Sequence, residues 1–438
     1  MDSIILYGDK IERNIDGNNL FAQWHGYLEQ DIWNLDDDTE HFTRHPLIGA
    51  GVFKYFNHPI EIRPLDQFVP GQRGAIFIGL LGGWNVNKLK YIKHWLTHPT
   101  RIAAWNDPAC QIVIDYSLEG FTEEVFPELW QWIEDNDLHN RILYVSSSYN
   151  VEQLYWQWCD KVGVRTNMQT SWYGFFINWI NRDREFSAVK SKLQQATWQQ
   201  GNTRYMCLNR RPHVHRILLL TLLERFNLIE HGGVSMPRNF EDEVDGFDKH
   251  AFDIPYQWQW LKDALNGSID NLDADFDRMY ARLPLIADTD NFKKNHALDI
   301  NEEYYTQFPI NIVSETFFFS ESVFASEKVW KPMLIGQIFL AMAPAFYLQS
   351  LRAIGFRTFS PWINEEYDTI TDHVERAIEL MRVLKSLIKL GDAEFAQLLV
   401  RCEPAIQHNR QILMDTERIN KLIGSQVIPA IESYWAMA

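Results

Sequence analysis

Apolar residues along this chain come in short unbroken runs that end on small or polar residues. "SIILYGD" (3–9), "GAIFIGLLGG" (74–83), "QIVIDYSLEG" (111–120) and "RILYVSSSYN" (141–150) are of this kind. Runs of this length without alternation suit strands buried on both faces, as in a parallel sheet. Between them the period changes. "FTEEVFPELWQWIEDN" carries Phe126, Leu129, Trp130 and Ile133 at helical spacing. "NVEQLYWQWCDKVG" has Asn150 as a candidate N-cap and Gly163 as a candidate stop. Strands alternating with amphipathic helices predict an α/β domain.

A polar, basic stretch from Trp172 to Thr203 reads as a connection, some of it helical. The pattern then starts again. "RYMCLN" predicts a strand, "RPHVHRILLLTLLERFNL" a helix, and "EHGGVSM" a glycine turn leading into an extended piece. Residues 237–308 form an acidic, aromatic insert whose clearest helix is "YQWQWLKDALNGS". "PINIVSET", "QIFLAMAP" and a short "FRTF" predict further strands. "AFYLQSLRAIG", "TDHVERAIELMRVLKSLIKLG" and most of the tail predict helices. The expected architecture is two Rossmann-like α/β domains facing a cleft. Residues 1–180 form the first, 181–415 the second with its insert, and 416–438 a helical tail. In such sheets ligands bind outside the carboxyl ends of the strands.

The chain has 438 residues, which as a prior means two or three domains. Its net charge of −17 argues against a surface that coats nucleic acid, though one local basic groove is compatible with it. The four cysteines have no CxxC or Cys/His metal spacing, so free thiols in a reducing compartment are expected. No basic start, long apolar stretch and cleavage site open the chain, and no run nears the length of a membrane span. These features predict a cytoplasmic protein.

Two segments carry the candidate chemistry. Asn209-Arg210-Arg211 follows a predicted strand and precedes a predicted helix, where arginines suit bidentate phosphate contacts. Ser326-Glu327-Lys328 sits at a helix start, with Pro332 either setting that start near Lys331 or bending the helix. Helix-start N–H groups and Lys328 suit an anion, and Glu327 as an acceptor suits ribose hydroxyls. The plainer alternatives are a surface turn with solvated arginines and a capped helix with a solvated Glu-Lys pair. His213 and His215, two apart, lack the one-turn spacing of a helical metal pair and read as packing or capping residues.

"RYMCLNRRPHVHRILLLTLLERFNLIEHGGVSM" and "VSETFFFSESVFASEKVWKPMLIGQIFLAMAPAFYLQSLRAIGFRTF" together resemble the donor-binding half of a GT-B glycosyltransferase. The pattern is similar to fucosyltransferase-like enzymes, which have Thr-Glu-Lys where this chain has Ser326-Glu327-Lys328. It is closer still to glycosyltransferase-like proteins, many of them encoded by bacteriophages. The resemblance covers roughly Arg204 to Asp368. It implies that Glu327 holds the nucleotide ribose, that Lys328 contacts a phosphate, and that Arg210 or Arg211 neutralises the departing diphosphate without a metal. The co-substrate it implies is a nucleotide-sugar, with no other cofactor.

Inverting transfer also needs a general base. Asp115, at a predicted strand end, and Glu119, in the following loop, are the candidates. The plainer reading of Asp115 is a turn or N-cap residue. The glycine-rich "GLLGGWN" (79–85) lacks GxGxxG spacing, "DADFD" and "DTD" read as solvated acidic faces, and Lys88, Lys90, Lys93 and Arg101 form the best basic patch. The leading expectation is a nucleotide-sugar glycosyltransferase. Its acceptor is a hydroxymethylated pyrimidine in phage DNA, or equally a glycan, lipid-linked sugar or protein side chain. The alternative from another class is a non-catalytic binding protein on the same fold. A phosphotransferase would carry a phosphate-binding GxxxxGK[ST] loop, which the sequence lacks.

Overall fold

A computed structural model describes residues 3–8, 55–79, 99–117, 120–123, 126–165, 168–182, 193–199, 203–239, 252–288 and 300–437. The chain divides into two compact units: Met1–Ala188 with Asp415–Ala438, and Val189–Met414. The tail, read from sequence as a separate element, therefore groups with the first unit.

Among the described residues, the first unit is built on six strands: β1 (Ile4–Gly8), β2 (Ile60–Pro64), β3 (Gly74–Gly79), β4 (Cys110–Tyr116), β5 (Ile142–Ser146) and β6 (Gln169–Trp172). All are parallel, in the order β2-β1-β3-β4-β5-β6. Every residue of β4 and β5 is buried, which is why their sequences do not alternate. Helices α1 (Pro99–Asn106), α2 (Phe126–Asp135), α3 (Val151–Val162) and α4 (Phe175–Arg182) accompany the strands. Helix α2 buries Phe126, Leu129, Trp132 and Ile133, while Trp130 packs only partly. Trp132 meets Trp105 with ring centroids 4.3 Å apart. Gly163 ends α3 in the left-handed conformation, as expected, but Asn150 makes no side-chain cap.

Among its described residues the second unit has four parallel strands in the order β10-β9-β7-β8: β7 (Tyr205–Leu208), β8 (Gly232–Ser235), β9 (Ile310–Ser314) and β10 (Ile338–Met342). The helices between them are α5 (Val214–Arg225), α6 (Ile254–Ala264), α7 (Asp273–Ala281), α8 (Glu302–Tyr305) and α9 (Glu327–Ile335). They are followed by α10 (Tyr347–Ala353), α11 (His373–Lys389) and α12 (Asp392–Met414). The chain leaves β7 toward β8 on one side and returns to β9 on the other. Neighbouring strands whose connections depart in opposite directions open a crevice at their carboxyl ends. In this unit that crevice lies between β7 and β9.

Several elements differ from the sequence pattern for identifiable reasons. Gly232 and Gly233 are strand residues, not a turn; a Cβ on Gly232 would meet the Tyr205 ring, and one on Gly233 the Tyr304 and Phe308 side chains. "FRTF" is not a strand. Side chains satisfy its backbone instead: Asn409 bonds Arg357 N–H and C=O at 2.8 Å each, and Glu365 accepts from Phe359 N–H at 2.5 Å. The polar strands β2 and β6 give no apolar run to find. The tail helix α13 (Thr416–Met437) packs on β5, β6 and α4, with Tyr434 donating to Pro108 O at 2.7 Å and Gln169 to Ser433 Oγ at 3.3 Å.

The short helix α9 begins at Glu327 and runs through Pro332. It stops at Gly336, whose φ of +80° turns the following Gln337 N–H back to Pro332 O at 2.8 Å. A Cβ there would lie 2.8 Å from Gln195 Cγ. Gly336→Ala should therefore destabilise the second unit by about 1–2 kcal/mol through the left-handed backbone alone, with steric crowding adding to it; urea unfolding of the variant measures this.

Candidate functional site

Helix α5 is buried on every side from His215 to Leu223. Ile217 to Leu220, Leu222 and Leu223 are all fully buried. A charge placed in such a helix has no solvated face to occupy. Arg216 is the result, 7% exposed, and sequence reasoning passed over it. Its Nη1 donates to Arg211 O at 3.1 Å, and its Nε has no hydrogen-bond partner among the described residues. No carboxylate among those residues lies within ion-pair distance of it. Burial lowers its pKa to about 10, with Glu327 acting in the opposite direction, so it remains charged at neutral pH.

Around it stand the residues singled out from the sequence. Asn209, 1% exposed, follows β7 and donates through Nδ2 to Cys207 Sγ at 3.2 Å, leaving Oδ1 without a hydrogen bond. Arg210 and Arg211 are half-buried in the turn before α5. His213 and His215 stack with centroids 5.9 Å apart and rings nearly parallel. Both are held neutral, first by burial and then by the Arg216 charge. They pack rather than ligate.

The second segment sits at the end of the neighbouring strand β9. Ser326 caps α9, its Oγ accepting from Lys328 N–H at 3.3 Å. Lys328 Nζ lies 3.0 Å from Glu327 Oε1, 3.1 Å from Ser326 Oγ and 3.4 Å from Thr316 Oγ1. Burial acts to raise the pKa of Glu327, but the Lys328 and Lys331 charges and its own backbone N–H outweigh it, and the group stays below the usual carboxylate range. The helix start is thus already occupied by a carboxylate. An incoming anion would compete with Glu327 for Lys328.

These two segments, far apart in the chain, form one electrostatic group. Glu327 and Glu315 act on Arg216, and Lys328 acts on His213. The main chain of Glu315 acts on His215 against the burial that lowers its pKa. The β7–β9 crevice therefore combines a buried arginine, a half-buried lysine (28% exposed) and a carboxylate (17% exposed) beside backbone and hydroxyl donors. Such a set can neutralise a dianion and accept from a vicinal diol.

On the first unit, Asp115 lies near the end of β4 and is 2% exposed. Its Oδ1 accepts from Ser117 N–H at 2.8 Å, which is turn chemistry. Burial raises its pKa to about 6, a value suited to taking a proton near neutrality. Glu119, "GLLGGWN" beyond Gly79, "DTD" beyond Asp288, and Lys88, Lys90 and Lys93 lie outside the described residues. In "DADFD", Asp273 accepts from Trp258 Nε1 at 2.9 Å and pairs with Lys262, and Asp275 pairs with Arg225 at 3.1 Å. All four cysteines are free and buried. No helix among the described residues is long and apolar enough to cross a membrane.

No protein-family model matches the chain, and no curated protein matches it in sequence. Solved structures do overlap with it. An α,α-trehalose 6-phosphate synthase from Burkholderia multivorans covers 97% of this chain and 80% of its own, at 8% identity and a TM-score of 0.43. A trehalose-6-phosphate synthase studied for glycosyltransfer with retention covers 99% of both chains, at 12% identity and 0.43. An α,α-trehalose-phosphate synthase (UDP-forming) from Burkholderia vietnamiensis covers 96% of this chain and 99% of its own, at 9% identity and 0.40.

Two outcomes are expected. A buried arginine with no carboxylate in ion-pair range costs stability, so Arg216→Met should raise the unfolding free energy of the ligand-free protein by about 1–3 kcal/mol. The depressed histidines give a pH signature. Below about pH 6.5 the unfolded chain takes up protons that the folded rings refuse, so stability falls as pH drops toward the folded pKa. The wild type should lose more unfolding free energy between about pH 7 and about pH 5 than His213→Gln, measured by urea unfolding at each pH.

Proposed function

We propose that this protein is a glycosyltransferase that moves a sugar from a nucleotide-sugar donor to an acceptor hydroxyl. The observation that carries the proposal is the meeting of the Asn209–Arg216 and Ser326–Lys328 segments in the β7–β9 crevice. The resemblance of the same two segments to fucosyltransferase-like donor sites supports it.

In this reading the diphosphate displaces the Glu327 carboxylate from Lys328 and takes up the unsatisfied donor of Arg216, with Arg210 and Arg211 at the rim. Asn209 lies at the floor, and Ser326 keeps the helix start in place. Glu327, released, accepts from the ribose hydroxyls. Charge grows on the leaving diphosphate as the bond to the sugar breaks, and fixed cations stabilise it there with no reorganisation. These side chains supply the neutralisation that a metal ion provides in other transferases.

The stereochemistry proposed is inversion. The acceptor oxygen forms its bond to the anomeric carbon from the face opposite the leaving group, and its proton passes to a carboxylate base. That base is assigned to Asp115 or Glu119. The acceptor proposed is a hydroxymethylated pyrimidine in DNA, reached by flipping the base out of the stack. A glycan or protein hydroxyl meets the same chemical requirement.

A thermal-shift panel of nucleotide-sugars tests the donor, since a ligand that binds only the folded state raises the melting temperature. At least one should produce a shift, and Arg216→Met and Glu327→Ala should each abolish it while staying folded. If no nucleotide-sugar shifts the wild-type protein, the proposal fails. With the donor known, incubation with DNA containing hydroxymethylated pyrimidines should give a glycosylated base. Asp115→Asn should then lower turnover by about 10²-fold or more if Asp115 is the base, and the anomeric configuration of the product reports inversion.

A further inference from the structure

We infer that Glu315 is a positioning residue for the donor site: it fixes the direction of the Ser326 hydroxyl hydrogen, so that the Ser326 lone pairs hold Lys328. The inference rests on the glycosyltransferase reading.

Glu315 follows the last residue of β9 and is fully buried. Its N–H extends the ladder to Met342 O at 3.1 Å, so its backbone is fixed. Its carboxylate collects donors only. Ser326 Oγ donates to Oε2 at 2.6 Å and Tyr347 OH to Oε1 at 2.6 Å. The N–H groups of Ser326 and Thr316 add bonds at 3.3 Å each. A buried carboxylate is tolerated when it is this completely satisfied.

A serine hydroxyl has one hydrogen and two acceptor positions. Once the hydrogen is given to Glu315, Ser326 Oγ can only accept from its remaining neighbours. Both are donors: Lys328 N–H at 3.3 Å and Lys328 Nζ at 3.1 Å. An ammonium has no acceptor function, so the contact survives only with this polarity. Glu315 thus acts on a phosphate-binding lysine through an intermediate hydroxyl. A glutamine of the same shape cannot replace it. Its NH2 would either face the Ser326 main-chain N–H, a donor that cannot reverse, or donate to Ser326 Oγ and turn the serine hydrogen toward the ammonium.

The test is isothermal titration of wild type and variants with UDP, GDP and inorganic pyrophosphate, beside urea unfolding of each variant. Glu315→Gln should weaken binding of whichever probe the wild type takes by about tenfold or more, the scale of one hydrogen bond to a charged group. Ser326→Ala should lose a similar factor, and the double variant should lose little beyond either single one. Tyr347→Phe removes another donor from the same carboxylate without touching Ser326. It should lose stability yet keep its affinity within about twofold. The inference is overturned if Glu315→Gln binds like the wild type, if its loss adds fully to that of Ser326→Ala, or if Tyr347→Phe loses as much affinity as Glu315→Gln. Should Glu315→Gln not fold, wild-type affinity in Ser326→Ala overturns it equally. A wild type that binds none of the three probes brings down the donor-site reading and this inference with it, which separates that outcome from the others.

Discussion

The pairing of β7 with β9 is the contact on which the rest of the second unit depends. Tyr205 sits opposite Ile310 and Met206 opposite Asn311, and the chain departs from the two strands in opposite directions. That single adjacency brings the turn before α5 beside the cap of α9. It is held by polar locks as well as by the ladder. Gln337 Nε2 lies 3.2 Å from Met206 Sδ on β7 and donates to Tyr305 O at 2.9 Å and Phe308 O at 2.7 Å, while its Oε1 accepts from Asn311 Nδ2 on β9 at 3.0 Å. A shift of one residue would turn every side chain of β9 to the opposite face and break these bonds together.

Around that crevice the polar groups follow two opposite patterns. Glu315 has every acceptor position in use, whereas Arg216, Asn209 and His215 each keep a buried polar atom without a hydrogen bond among the described residues. Unsatisfied buried donors and acceptors are expensive, and folded chains rarely keep several together without a use for them. In the function proposed above, the satisfied groups build the frame and the open Arg216 donor receives the ligand's charge. A charge-assisted contact made in that dry environment is stronger than the same contact at the surface.

Much of the architecture was legible along the chain. Strands β4, β5, β7, β9 and β10 are buried on both faces, so their apolar runs needed no context. The Ser326 cap and the Gly163 stop are local chemistry and were equally readable. The strands β2 and β6 were not, because "IEIRP" and "QTSW" lack an apolar run and become strands only through their neighbours. "FRTF" looked extended because nothing local announces that Asn409 and Glu365 would satisfy its backbone.

For the site the division is sharper. Sequence alone determined that cationic and acidic residues stand at strand ends and helix starts, because short-range propensities dictate those elements. A signal for Arg216 was also present, as an arginine inside a helix with no polar face. Only the tertiary structure decided that Arg216, Lys328, Glu327 and Glu315 share one crevice, and which hydroxyl gives its hydrogen to which oxygen. Strand order and hydrogen-bond polarity depend on groups distant along the chain, and no local pattern encodes either.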